Sequence, residues 1–200
     1  MGLLDILLGR SKPVVPDLDQ LFALPSAAVT LEAAAGFRPT GSGAVCFATV
    51  EGGVFEQTHR EVQALLDADA EREDRPVELT RDGYGYSWLV SRRPPGQLPE
   101  LVNDLHAVNS AMEVNGFGPQ LLCSLAGFEK EGAQEGGQGR RLALVYLYKR
   151  GTFYPFAPLP GAAERRDNPL ELRVRAALAN DLRIEQDLNR WFPVWGAPGL

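Results

Sequence analysis

The stretch RRLALVYLYKRGTFYPFAPL, Arg140 to Leu159, decides the fold. From Leu142 to Tyr148 apolar residues fill both alternating faces, the pattern of a central strand covered on two sides. Phe153, Tyr154, Pro155 and Phe156 follow, with more aromatic surface than a turn requires. The stretch predicts a well-specified sheet bordered by an adhesive aromatic edge.

Working outward, Leu121 to Phe128 reads as the strand before it, joined through a Gly/Gln/Glu loop from Glu129 to Gly139. Val77–Arg81 and Tyr84–Ser91 form a second hairpin, with Asp82-Gly83 as a two-residue turn. Ala44–Val50 is a further strand. Leu98, Leu101, Val102, Leu105, Val108 and Met112 recur at helical spacing and predict a helix over 98–115. Val54–Asp69 is another helix. Two more precede Gly36, one opened by Asp17 with Gln20 and one by Ser26, with Pro25 between them. Asn168 caps a last helix, with Pro169 at its first position. Hairpins dominate this order, so the fold class is α+β, a mainly antiparallel β-sheet built from hairpins with helices packed on it. Residues 1–16 form an amphipathic segment and linker. Residues 17–200 form a single α+β domain, or two related α/β halves at about 17–92 and 93–200, which share a strand–helix–strand rhythm.

The chain carries 20 basic and 26 acidic residues, a net charge of −6. That balance opposes non-specific nucleic-acid binding. Residues 1–100 hold 9 basic and 15 acidic groups and residues 101–200 hold 11 of each, so the excess is confined to the first half and concentrated in Asp67–Arg75. Cys46 and Cys123 sit far apart in apolar runs, as buried free thiols in a reducing cytoplasm would; a disulfide is the alternative. No apolar run approaches the ~20 residues of a membrane span, and MGLLDILLGR lacks a signal-peptide cleavage site. The chain reads as cytoplasmic.

If residues 1–10 are helical, Leu3, Leu4, Ile6, Leu7 and Leu8 share one arc, with Asp5 and Gly9 opposite. So short a helix is marginal alone in water. Leu3, Leu4, Leu7 and Leu8 are therefore candidate contacts to a membrane surface or a partner groove, with packing on their own domain as the alternative.

Chemistry-bearing residues are few. His59 and His106 have no ligand-type residue at metal spacing on the same helical face, so no metal site and no cofactor are expected. Cys123 follows the helix that carries His106, and a Cys–His pair activates a thiolate, but no orienting third group accompanies it. The glycine-rich stretches at Gly41–Gly43 and Glu135–Gly139 do not lead from a strand into a helix, as a phosphate cradle requires. Arg150-Gly151-Thr152-Phe153 departs from the RNA-recognition signature. What remains is the aromatic surplus: Tyr146, Tyr148, Phe153, Tyr154, Phe156, Trp191 and Trp195. Such residues either close the domain's own core or anchor a partner, and they are the candidate partner-binding set.

The segments MGLLDILLGR, LFALPSAAVTLE with GFRPTG, NDLHAVNSAMEVNGFGPQLLCSLAGF, LALVYLYKRGTFYPFAPL, RDNPLELRVRAAL and DLNRWFPVWGAPGL together resemble the PspA-associated protein PspAB family, found beside PspA in phage-shock-type envelope-stress gene neighbourhoods. The resemblance spans nearly the whole chain. It implies a cytoplasmic accessory of a membrane-stress system with a PspA-like partner, and carries no catalytic residue with it. The expectation is a non-enzymatic interaction protein acting at the inner membrane face. The alternatives are a cysteine-dependent enzyme using Cys123 and His106, and a peripheral lipid-binding protein.

Overall fold

Six strands form one antiparallel sheet in the order β2-β3-β1-β4-β5-β6. They are β1 Arg38–Ala48, β2 Glu78–Arg81, β3 Tyr86–Arg92, β4 Leu121–Lys130, β5 Arg140–Leu147 and β6 Thr152–Phe156. Among the described residues four helices accompany them: α1 Leu24–Ala35, α2 Gly53–Asp67, α3 Leu98–Val114 and α4 Asn168–Ala177. The fold is α+β. The computed structural model describes residues 16–49, 52–68, 76–132, 139–161 and 164–200.

Strand alternation decides which side chains meet the helices. Asn109 of α3 donates to Ser124 Oγ at 2.8 Å, and Ser91 donates to Asp104 of α3 at 2.6 Å. A Cβ built on Gly43 would stand 3.3 Å from Leu101 of α3. Tyr146 donates to the Asp17 carbonyl at 2.8 Å, which seats the 3-10 turn Leu18–Ala23 on the same side. Their strand neighbours, Val90, Ala44, Cys123, Leu125 and Val145, therefore face the other way. No described helix covers them. The C-terminal segment does: Trp191 stacks on Tyr154 at 6.0 Å, Trp195 meets Phe156 edge-on at 4.8 Å, and Gly199 packs against Ser42.

The structure revises several expected details. The aromatic edge is itself a strand: β6 pairs with β5, Tyr146 opposite Phe153 and Val145 opposite Tyr154. Pro155 is tolerated there because β6 lies at the sheet edge. β1 begins at Arg38, before the expected Ala44, and its register shifts between Pro39 and Gly43. Asp82-Gly83 is not a two-residue turn. Gly85 N–H donates to Asp82 O at 3.3 Å, with Gly85 at φ 86°, a turn closed by a left-handed glycine. Pro25 does not break a helix; it occupies the first turn of α1, where its missing N–H has no partner to lose. Ser26 is inside that helix, not its cap. Asp167, one residue before the expected Asn168, caps α4 by accepting from Leu170 N–H at 3.0 Å.

Gly41 is required where β1 bends. Its φ is 77°, and a Cβ there would stand 2.0 Å from the Arg93 carbonyl oxygen. Gly41→Ala is expected to lower stability by at least about 2 kcal/mol, read as a reduced urea midpoint. Burial pushes the Tyr146 hydroxyl up to about 12, against 10.0 for the free side chain. Between those values the unfolded chain releases a proton that the folded chain keeps. The stability present below pH 10 is thus lost as the pH rises towards 12. Tyr146→Phe should flatten that alkaline fall in melting temperature.

Candidate functional site

Trp88, Cys46, Cys123 and Leu147 stand side by side on β3, β1, β4 and β5, one row across the sheet. All four line a cavity of about 570 Å³ on the face that the helices leave bare. The shape follows from the row. Two small thiol side chains sit between the large side chains of Trp88 and Leu147, with Tyr154 of β6 beyond, so the middle of the floor is low. Phe192, Pro193, Val194 and Trp195 of the C-terminal segment form the opposite wall.

The wall is irregular backbone, and side chains hold it in place. Tyr154 donates to the Phe192 carbonyl at 2.7 Å, and Arg166 donates to the Trp191 carbonyl at 2.6 Å. Trp191 Nε1 donates to the Glu185 carbonyl at 3.0 Å. The buried Glu185 carboxylate accepts from Arg150 and Thr152, each at 3.0 Å, and from the Asp187 N–H at 3.1 Å. Burial alone would push Glu185 up, but these donors hold its pKa below the usual carboxylate value. At the other end of the row, Trp88 Nε1 donates to Asp82 at 2.8 Å, while Asp82 also accepts from the N–H groups of Tyr84 and Tyr86. Desolvation raises Asp82, and those hydrogen bonds outweigh it, leaving its pKa lowered.

The predicted partner-binding aromatics are placed differently from the expectation. Tyr146, Tyr148, Phe153, Tyr154, Phe156 and Trp191 are all buried in the chain's own core, and Trp195 is half-buried. β6 explains this, because strand alternation sends Phe153 to the helix side and Tyr154 and Phe156 under the C-terminal segment. Other rings face solvent: Phe192 at 59%, Tyr84 at 57% and Tyr86 at 44% exposure line the cavity, while Phe22 at 48% lies on the helix side against His106. Leu3, Leu4, Leu7 and Leu8 lie outside the described residues.

Cys123 and His106 are not brought together. Ser124 faces α3, so Cys123 faces the cavity on the other side of the sheet, whereas His106 lies on α3 against Phe22 and 3.6 Å from Asp19. The sheet itself separates the thiol from the imidazole. The neighbour of Cys123 is Cys46, directly opposite it on β1, and both are free thiols. Among the described residues no group of three or more His, Cys, Asp or Glu is arranged to hold a metal ion. No described helix is long and apolar enough to cross a membrane.

The family profile of PspAB, PspA associated protein B, matches residues 1–199. The chain belongs to the PspAB family. No curated protein and no solved structure matches it. The family name records association with PspA, which fits an accessory role and a PspA-like partner. In this PspAB chain the cavity offers apolar surface with an aromatic rim.

A thiol–thiol hydrogen bond with Cys123, and then burial, pushes the Cys46 thiol far up, so little thiolate exists at neutral pH. Iodoacetamide should therefore label Cys46 at least about a hundredfold more slowly in the native protein than in urea, followed by peptide mass spectrometry.

Proposed function

We propose that this PspAB chain is a non-enzymatic accessory of a PspA-type, phage-shock envelope-stress response. In this reading it works in the cytoplasm near the inner face of the cell membrane and binds a PspA-like protein through the cavity rim. The observation that carries the reading is the exposure of Tyr84, Tyr86 and Phe192 around an apolar cavity, in a chain whose family is named for association with PspA. Exposed aromatic rings around a preformed apolar concavity are the surface type that anchors a protein partner. Rings of this kind present large area at little conformational cost on binding. The placement of Cys123 and His106 on opposite faces of the sheet removes the support for the cysteine-enzyme alternative.

The test is a binding titration of the full chain against a PspA-like protein from an envelope-stress operon. Tyr86→Asp combined with Phe192→Asp should weaken binding at least tenfold while leaving the circular dichroism spectrum unchanged. Both side chains are about half exposed, so the core does not depend on them. Undiminished affinity in the double variant would move the interface elsewhere. No binding by the unaltered chain would remove the accessory reading.

A further inference from the structure

Cys46 of β1 and Cys123 of β4 are direct partners in an antiparallel pair, so both side chains leave the sheet on the same face. Both thiols are free, and both line the cavity. Residues directly opposite in such a pair have Cα atoms roughly 4.5–5.5 Å apart, within the roughly 4.4–6.8 Å over which a disulfide joins two cysteines. The two thiols are already hydrogen-bonded to each other. The register of β1 on β4 shifts between Cys46 and Phe47. The ladder beside the pair is thus interrupted already, and a small approach of the two sulfurs breaks no regular pairing there.

A buried cysteine is often no more than a small apolar filler. These two stand beneath open volume, which they leave unfilled. Tyr84, Tyr86 and Phe192 are exposed where they line the cavity, so it meets solvent between them. A reagent that enters an apolar cavity of this kind must be small and uncharged. A hydroperoxide is both.

We propose that Cys46 and Cys123 form a reversible oxidation site, a dithiol that a small hydroperoxide converts into a disulfide joining β1 to β4 across the cavity floor. No partner is needed for this chemistry, so it does not rest on the function proposed above. Cys46 keeps its proton, because the bond to Cys123 and burial push its pKa far up, and it can donate to the Cys123 sulfur as that thiol ionises. Cys123 is also the more open of the two, at 7% exposure against 4%. It attacks first. An S–O bond forms on Cys123 and the O–O bond breaks. The departing oxygen takes the proton that Cys123 gave up and leaves as water or an alcohol. Cys123 is then a sulfenic acid. The Cys46 sulfur attacks the Cys123 sulfur, the S–S bond forms and the S–O bond breaks, and the leaving hydroxide takes the Cys46 proton as water. Two electrons have passed from the two sulfurs to the peroxide. A dithiol reductant reverses the step by exchange and becomes a disulfide itself. Since the two sulfurs are the low middle of the floor, the reduced and oxidised chains present different floors to whatever enters the cavity.

The test treats the full chain, reduced and freed of reductant, with hydrogen peroxide, blocks remaining thiols and maps the peptides without reduction. The intact chain should become lighter by two hydrogens, with the Cys46 and Cys123 peptides joined, and dithiothreitol should restore both thiols. In Cys46→Ser the reaction should stop at the sulfenic acid, so that dimedone traps at least about tenfold more of Cys123 than in the unaltered chain. Mapping of the unaltered chain decides the matter even where the variant does not fold.

Retention of both thiols after roughly a hundredfold the exposure that oxidises free cysteine would sink the site. Sulfinic or sulfonic acids without the joined peptide would do the same, as would disulfide-linked dimers on a non-reducing gel in place of the internal bridge. Equal dimedone trapping in the folded variant and the unaltered chain would remove Cys123 as the attacking thiol, and the proposed step with it.

Discussion

An antiparallel sheet with two apolar faces must be covered twice, and the described helices cover one face. That constraint organises the molecule. The helices and the 3-10 turn at Leu18–Ala23 take the face that carries Ser91, Ser124 and Tyr146. The face that carries Cys46, Cys123 and Tyr154 is left to irregular chain after α4. Irregular chain cannot satisfy its own buried carbonyls and N–H groups, so the protein supplies side chains for the purpose. Arg166, Tyr154 and Glu185 do that work, and each is tied to a backbone group of residues 185–192. Glu171 belongs to the same apparatus: it accepts from Ala157 N–H at 2.8 Å and holds Arg166 at 2.9 Å. Its burial raises its pKa even against those donors, a cost that Glu185, with its lowered pKa, does not share.

The cavity is what remains where this covering falls short. The C-terminal segment crosses the sheet over Tyr154, Phe156 and Ser42, and the row from Trp88 to Leu147 lies to one side of it. The small side chains of Cys46 and Cys123 deepen the gap where aromatic residues would have filled it. The rim is then made by turn and tail residues, Tyr84, Phe192 and Lys149, standing on a rigid floor of paired strands. Positions on loops held by a rigid scaffold are where binding surfaces are commonly built.

Parts of this were legible in the residues. The α3 stripe was, because its 3.6-residue spacing is local and its burial needs no knowledge of what it packs against; the structure buries all six stripe residues from Leu98 to Met112. The hairpin at Asp82 was legible in place but not in form, since the turn depends on the φ of Gly85. β6 was not legible as a strand because it is short, follows the turn at Gly151 and contains Pro155, which only an edge strand accommodates. Composition reported how many rings the chain holds but not which face each takes, so Tyr146, Phe153 and Phe156 stayed open between core closure and partner contact until the structure placed them in the core. The Cys46–Cys123 juxtaposition was out of reach altogether, because the pairing of β1 with β4 joins residues far apart in the chain.

The two faces of the sheet also differ in what their polar groups achieve. On the helix side Arg93 and Asp104 form a buried pair at 2.8 Å, and Ser91 adds a third bond to the same carboxylate. A buried ion pair of this kind contributes little net stability compared with apolar packing, yet breaking it is costly, so a shift of α3 that separates Asp104 from Arg93 is penalised. Asn109, bonded to both Ser124 and the Leu105 carbonyl, fixes the next turn of the same helix. The polar groups on the other side fasten a strap of chain from its edges and leave an apolar gap beneath it. One face is therefore tied down by buried polar contacts, while the other is held at its margins around an apolar cavity.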